Sequence, residues 1–310
     1  MGKHRRIQKL LRNPFIIVFS LTRCGMFRWM DDSSYLKMMY WCVFHKKMDL
    51  DNPKTYNEKL QWLKIHDHNP QYPRMVDKYE AKHYVGETLG YEIIIPTLGV
   101  WDRFEEIDFS TLPNQFVLKC THDSGGLVIC KDKATFNYEE AKRKINKCLR
   151  YNFYWQGREW AYKELIPRII AEKYMESDDA SDNSLTDYKV MCFNGVPKLI
   201  EVHQGRYTDH QTQDFYDISW HKTGITQGKN ESYGSSNRDL PVPITLEQML
   251  DFSKILSKGI AHVRVDWYSV NGRLYFGELT FFDGSGFVPY DNPDDDLMLG
   301  DWIDLNIVRG

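Results

Sequence analysis

Residues 262–290, HVRVDWYSVNGRLYFGELTFFDGSGFVPY, constrain the chain more than any other stretch. Val263, Val265 and Trp267 alternate with polar residues, Asn271-Gly272 can take the positive φ of a tight turn, and residues 274–280 return as a second strand. The pattern predicts a β-hairpin. Two carboxylates fall inside it: Asp266 mid-strand, and Glu278 near the same level of the returning strand. An ionised carboxylate is costly in an apolar sheet unless a cation, a guanidinium or a donor accompanies it. Two that converge, with Arg264 two residues before the first, predict a site for phosphate and a hard divalent cation such as Mg²⁺. The competing reading pairs Arg264 with one carboxylate and leaves both strands structural. The hairpin by itself does not separate the two.

The rest of the chain supplies what could. At 310 residues it can bury a large core and suits two or three lobes. Residues 33–47 read as a buried helix capped by serine, and Thr55 to Glu58 as a capping box that opens the helix KLQWLKIHDH. A helix is expected over 75–88, with Asp77-Lys78 inside it and Gly90 as its stop. A strand is expected in 91–101, then FVLKC at 116–120, ending beside Lys119, then THDSGG and the strand LVIC. Strand, small glycine-containing loop, strand is the outline of a flap whose N–H groups can cover phosphates, and also of a plain hairpin turn. It is not a P-loop, because no Gly-Lys-Ser/Thr and helix follow. Further on come a helix over 138–151, a strand over 169–175, and a hairpin of 187–193 with 196–202. Residues 203–243 lack periodicity and read as a functional loop or lid, and a helix over 246–258 precedes the opening hairpin.

Charge and cysteine usage narrow the classes. A net charge of −3 gives no general attraction to nucleic acid. The six cysteines have no metal-ligand spacing and read as reduced thiols of a cytoplasmic protein. The first thirty residues carry Lys3, Arg5, Arg6, Lys9, Arg12, Arg23 and Arg28 without an acidic residue. Their apolar run is too short to span a bilayer and lacks a small-x-small cleavage site. A basic helix packed on its own domain and a peripheral membrane contact both fit.

Taken in order, the pieces resemble the ATP-grasp superfamily. The residues that carry the likeness are Asp77-Lys78, Lys119 with Ser124-Gly125-Gly126, Glu172-Lys173-Tyr174-Met175, Asp187, Arg264-Val265-Asp266, and Glu278-Leu279-Thr280 followed by Gly284-Ser285-Gly286. TYNEKLQWLK, LPNQFVLKCTHDSGG, DYKVMCFNG and FGELTFFDGSGF are similar to the branch of teichuronopeptide-biosynthesis proteins, which is associated with bacterial surface polysaccharides. The resemblance implies an α+β fold, two lobes gripping ATP, with a helical N-terminal region. It divides the chain into a helical region 1–74, a linking segment 75–115, a small lobe with the flap at 116–178 and a large lobe with the metal site at 179–310.

By the same resemblance, Lys78 and Lys119 hold ATP phosphates under Ser124, Gly125 and Gly126. Glu172 with Lys173, Tyr174 and Met175 meets adenine and its surroundings. Asp187 accepts from ribose hydroxyls, Lys189 counts with it among the ATP-binding residues, and Asp266 and Glu278 hold Mg²⁺. Thr280 stands where the family has a metal-binding asparagine, a departure that weakens the second metal position. Arg264 and Lys119 would serve the transferred phosphoryl group, and Arg206 is a further candidate because the strand ending at Val202 points the loop that follows it toward the acceptor or γ-phosphate. The implied activity is an ADP-forming carboxylate–amine ligase acting through an acyl phosphate. Its acceptor would be a small molecule or a glycan, such as a uronic acid of a surface polysaccharide. A kinase of a sugar hydroxyl would need a general base, for which His122, Asp123, His203 and Asp283 are candidates. A glycosyltransferase would use Asp266 and Glu278 but leave the two lysines and the flap unexplained.

Overall fold

A computed structural model describes residues 18, 21, 22, 25–123, 125–176, 185–205, 208, 210–228, 234–236 and 239–309. The basic residues up to Arg12, together with Arg23, Ser124, Arg206 and Tyr207, lie outside the described residues. Among the described residues, no helix is long and apolar enough to cross a membrane.

Helix α1, Asp32–Phe44, starts one residue before the expected boundary. Its cap is Asp31, whose carboxylate accepts from the Ser34 N–H, rather than a serine. Helix α2, Tyr56–His66, has the full capping box: Thr55 and Glu58 satisfy each other's backbone N–H groups. The helix expected over 75–88 is broken into α3, Tyr72–Val76, and α4, Glu80–Leu89. Asp77 takes an extended φ of −68° and ψ of 122°, and its Oδ1 accepts from the Tyr79 and Glu80 N–H groups at 2.9 and 3.0 Å. The carboxylate competes with the helix for those donors and wins, so Lys78 lies in a break and not on a helix face.

Two antiparallel sheets follow. Strands β1 (Thr97–Trp101), β2 (Phe116–Cys120) and β3 (Leu127–Cys130) lead to α5 (Tyr138–Leu149) and the short α6 (Tyr154–Gly157), and β4 (Ile169–Lys173) completes a sheet ordered β1-β4-β2-β3. The strand expected in 91–101 is shortened because residues 91–93 form a 3₁₀ turn. Helix α5 covers this sheet with Ala141 and Ile145, against Phe116, Leu118, Ile169 and Ala171.

The second sheet is formed by β5 (Asp187–Phe193), β6 (Val196–Gln204) and β7 (Thr212–Asp217), then helix α7 (Leu246–Leu256), and β8 (His262–Val270) with β9 (Arg273–Thr280); helix α8 (Pro293–Asp301) follows. Its strand order is β7-β6-β5-β8-β9. Strand β7 lies inside the stretch read as a functional loop or lid: TQDFYD adds to β6 and buries Phe215 and Tyr216. Asn271 and Gly272 take φ of 50° and 69°, the two positive values that a tight hairpin turn requires. Helix α7 packs Met249 and Leu256 on the sheet, and the Trp267 indole N–H donates to Ser253 Oγ at 2.8 Å. Each such apolar side chain, once buried, contributes about 1.5–3 kcal/mol. Helix α1 builds a third cluster from Tyr35, Leu36 and Met39 against Phe287. The chain is therefore an α+β fold of two helix-covered antiparallel sheets.

Candidate active site

Side chains alternate along a strand, so register decides which of them share a face. On one rung of the larger sheet, Glu201 of β6 opposes Lys189 of β5, Lys189 opposes Asp266 of β8, and Asp266 opposes Glu278 of β9. Asp187 and Arg264 lie two residues along on the same face. A bulge sets the last pairing: Trp267 opposes Phe276, which leaves Gly277 as the extra residue. A β-carbon there would come within 3.0 Å of the Asp266 carbonyl oxygen, which is why a glycine fits.

The rung is tightly paired. Arg264 grips Asp266 with two hydrogen bonds of 2.7 and 2.9 Å, bonds Asp283, and has Glu201 and Glu278 at 3.9 and 3.7 Å. Its pKa is lifted well above the ordinary value, because Asp266, Asp283 and Glu201 outweigh the cost of burial. Lys189 bonds Asp266 and sits 3.1 Å from Asp187, and these carboxylates raise its pKa against burial and the repulsion of Arg264. Burial pushes the Glu278 carboxyl up, but Lys78 at 3.6 Å, with Lys189 and Arg264, holds it below the usual range. Thr280 Oγ1 is 3.4 Å from both Arg264 Nη2 and Glu278 Oε1.

A count of charges tests whether this set suits a divalent cation. Five carboxylates, Glu201, Asp187, Asp266, Glu278 and Asp283, meet the three fixed cations Lys189, Arg264 and Lys78, with His203 on Glu201 besides. The excess is negative and the donors are hard oxygens, the chemistry that Mg²⁺ requires. Asp266 is 2% exposed, whereas the Glu278 side chain is 38% exposed toward a cavity of about 900 Å³. That volume suits a nucleotide-sized ligand.

The smaller sheet forms the opposite wall. Lys119, at the end of β2, lies 2.5 Å from Glu172 Oε2, while Lys82 bonds Glu172 Oε1. Both carboxylate oxygens are thus engaged by lysines. Burial would raise the Glu172 pKa, but the two ammonium groups bring it down to about 2. The turn after β2 is held by the Gly126 N–H, which donates to Asp123 Oδ1 at 3.0 Å, and by Lys78, which donates to the Asp123 carbonyl at 2.5 Å. Lys78, Lys119, Gly126, Asp187, Asp266 and Glu278 converge on the cavity. Glu172 and the residues 173–175 line it as well. Arg264, Lys189, Thr280 and Gly125 are not on its wall; the first two lie behind Asp266 and neutralise it.

Sequence reasoning passed over Glu201 and Lys82 and gave Asp283 a different role. Glu201 accepts from Gln213 Nε2 at 2.6 Å and pairs with His203 at 2.5 Å; it looks in sequence like any polar residue of an alternating strand. Asp283 appeared only as a base, but its carboxylate is bound to Arg264. Lys82 follows Lys78 by four residues, but the break at Asp77 leaves Lys78 outside the helix, so no helical spacing announced the pair.

The loop after β9 is anchored to α2. Gly284, Ser285 and Gly286 take φ of 51°, 57° and 61°. Lys64 donates to Ser285 O and Oγ at 2.7 and 3.1 Å, Gln61 donates to Gly286 O at 2.7 Å, and Ser285 Oγ donates to Glu159 at 2.7 Å. Burial pulls the Lys64 pKa down to about 7, with Glu159 and Asp32 opposing it.

A family model described as TupA-like ATPgrasp matches residues 58–304. No curated protein sequence gives a match. The D-alanine–D-alanine ligase from Bacillus anthracis complexed with ATP is 14% identical with a TM-score of 0.41, over 76% of this chain and 66% of that one. The enzyme of the same name from Helicobacter pylori is 13% identical with a TM-score of 0.42, over 81% of this chain and 67% of that one. The chain spans about two thirds of the length of these proteins.

Proposed function

The chain belongs to the TupA-like ATP-grasp family, and from that premise we propose that it is an ATP-dependent, ADP-forming carboxylate–amine ligase. The observation that supports this most is the rung Glu201-Lys189-Asp266-Glu278, set across a cleft from Lys119 and the glycine turn. Lys78 and Lys119 bind the phosphates of ATP, and the turn at Gly125 and Gly126 covers them. Glu172 holds Lys119 in place, the backbone of residues 173–175 meets adenine, and Asp187 accepts from the ribose. Asp266 and Glu278 would hold Mg²⁺, which when bound would neutralise charge on the phosphates; the Thr280 hydroxyl, off the cavity wall and 3.4 Å from Glu278, would orient that carboxylate. Lys189 and Arg264 keep these carboxylates ionised and aimed.

A carboxylate oxygen of the acceptor attacks the γ-phosphorus and ADP leaves. The amine then attacks the acyl carbon of the acyl phosphate, inorganic phosphate departs, and the amine's proton passes to solvent or a nearby base. Catalysis is positioning plus charge neutralisation, so no side chain becomes covalently modified. The acceptor is a uronic acid of a surface polysaccharide or its precursor, a reading supported by the sequence likeness to teichuronopeptide-biosynthesis proteins. One observation favours a second reading. The Glu201–His203 pair beside Arg264 could take the proton of a hydroxyl, which would make the protein a kinase.

ADP release, measured over a matrix of uronic acids and amines, tests the reading. We expect turnover only when both are present, with oxygen from a heavy-oxygen-labelled carboxylate recovered in inorganic phosphate. ADP formed with a neutral sugar alone, with the phosphate recovered on the sugar, would replace the ligase by the kinase; inorganic phosphate free of label would contradict the acyl phosphate.

A further inference from the structure

A second group of reactive side chains lies at the base of the glycine turn, where Cys120 and Asp123 also line the cleft, and takes no step in the ligase chemistry above. Cys120 ends β2 directly after Lys119, Asp123 stands in the turn that follows, and Cys148 lies in the last turn of α5. The two sulfurs and a carboxylate oxygen of Asp123 lie within 4.8 Å of one another, the only such group of three His, Cys, Asp or Glu donors among the described residues. Cys120 and Asp123 are buried and Cys148 is partly buried. The Cys148 thiol donates to Asp123 Oδ2. Both sulfurs crowd the same point: a β-carbon on Gly126 would fall 2.6 Å from Cys120 Sγ and 2.8 Å from Cys148 Sγ.

The chemistry of these donors selects the ligand. Among the described residues, no lysine or arginine pairs with the Asp123 carboxylate. Two thiolates and a carboxylate form a borderline-soft set that suits Zn²⁺ and not Mg²⁺. A tetrahedral ion with sulfur about 2.3 Å away separates its ligands by roughly 3.7 Å; that falls under the 4.8 Å that bounds the three donor atoms, and an ion would replace the direct Cys148–Asp123 hydrogen bond. The surroundings already restrain two of the ligands. His122 Nε2 donates to the Cys148 and Tyr151 carbonyls at 3.2 and 3.0 Å, fastening the end of α5 to the turn. Asp123 is fixed through its own carbonyl by Lys78.

We propose that Cys120, Asp123 and Cys148 bind a thiophilic divalent cation of the Zn²⁺ kind, which pins the glycine turn to the end of α5. Three protein ligands leave a fourth position for water. The link to nucleotide binding rests on the ATP-grasp reading, because Lys78 and Lys119 flank the site on the cleft side; the metal site itself does not.

The test uses the full chain, purified under reductant and stripped with a chelator, without nucleotide. Titration with Co²⁺ should give one ion per chain and a thiolate-to-cobalt absorption band that Zn²⁺ displaces. Cys120→Ser and Cys148→Ser should abolish the band, Asp123→Asn should weaken uptake at least tenfold, and Cys130→Ser should leave it intact. Should a cysteine variant fail to fold, the wild-type protein gives the same answer: Zn²⁺ should shield two thiols from alkylation, and chelator should expose them. Reduced wild-type protein that takes up no Co²⁺ and gains no protection from Zn²⁺ overturns the proposal. So does a Cys120–Cys148 disulfide formed by mild oxidant in protein that binds no metal, which would make the pair a redox couple. A parallel titration of the stripped protein with Mg²⁺ and an ATP analogue keeps the two readings apart. Nucleotide binding without cobalt binding rejects the metal site alone, and the reverse rejects the nucleotide site alone.

Discussion

Glu172 and Glu278 are glutamates on strands of different sheets, and their surroundings give them different work. Glu172 is 4% exposed and clamped between Lys82 and Lys119, so its replacement strands two ammonium groups. Breaking a buried pair in this way costs about 3–5 kcal/mol, which is the loss expected in urea unfolding of Glu172→Gln. The pH dependence follows from the shift. The folded pKa, about 2, lies below the ordinary glutamate value, so the stabilisation is fully present above the unfolded value and is lost as pH falls through the folded one. Wild-type and variant unfolding curves should converge on acidification; a constant gap would contradict the pairing. Glu278, on the cavity wall, should behave oppositely. Glu278→Gln is expected to change stability by under about 1 kcal/mol and to remove Mg²⁺-dependent turnover, because an amide lacks the charge a hard cation needs. Full activity of that variant, or in excess chelator, would contradict the assignment. Asp266, Glu278 and Arg264 were legible because charges stand out in an alternating apolar strand. Glu201 was not, since a lone glutamate in KLIEVHQ acquires meaning only from the register that sets it opposite Lys189.

At the scale of elements, the glycine loop after β9 depends on α2. Gly286 has a φ of 61°, and a β-carbon there would crowd Leu60 at 3.0 Å as well as the Gln61 amide. Gly286→Ala thus combines left-handed strain with overpacking, each costing about 1–3 kcal/mol. Its melting temperature should fall, and Gln61→Ala in the same background should recover part of the loss; independent, additive losses would separate the loop from the helix. Thr55→Ala, which opens the capping box, should cost about 1 kcal/mol by the same measurement. Elements with strong local signals were readable: the Asn271-Gly272 turn, the Thr55 cap and the amphipathic helix α7 all lie where residue chemistry predicts. The break at Asp77 carries no glycine or proline and arises from a side-chain cap, and β7 is short, polar at its start and stabilised by pairing with β6. Cys120 and Cys148 are brought together only by the packing of α5 on β2 and β3, which no local pattern announces.

For the whole molecule, two sheets present complementary walls: carboxylates with buried counter-cations on one, lysines and a glycine turn on the other. A ligand that joins them should stabilise the folded chain, by about 2.7 kcal/mol at a hundredfold excess over Kd. Calorimetric titration with a non-hydrolysable ATP analogue, with and without Mg²⁺, tests this arrangement most directly. Wild-type protein should bind one analogue per chain with Mg²⁺ and at least tenfold more weakly without it. Lys78→Ala and Lys119→Ala should each weaken the Mg²⁺-dependent binding at least tenfold. Wild-type protein that binds no analogue, or lysine variants that bind as tightly as wild type, would contradict the nucleotide cleft.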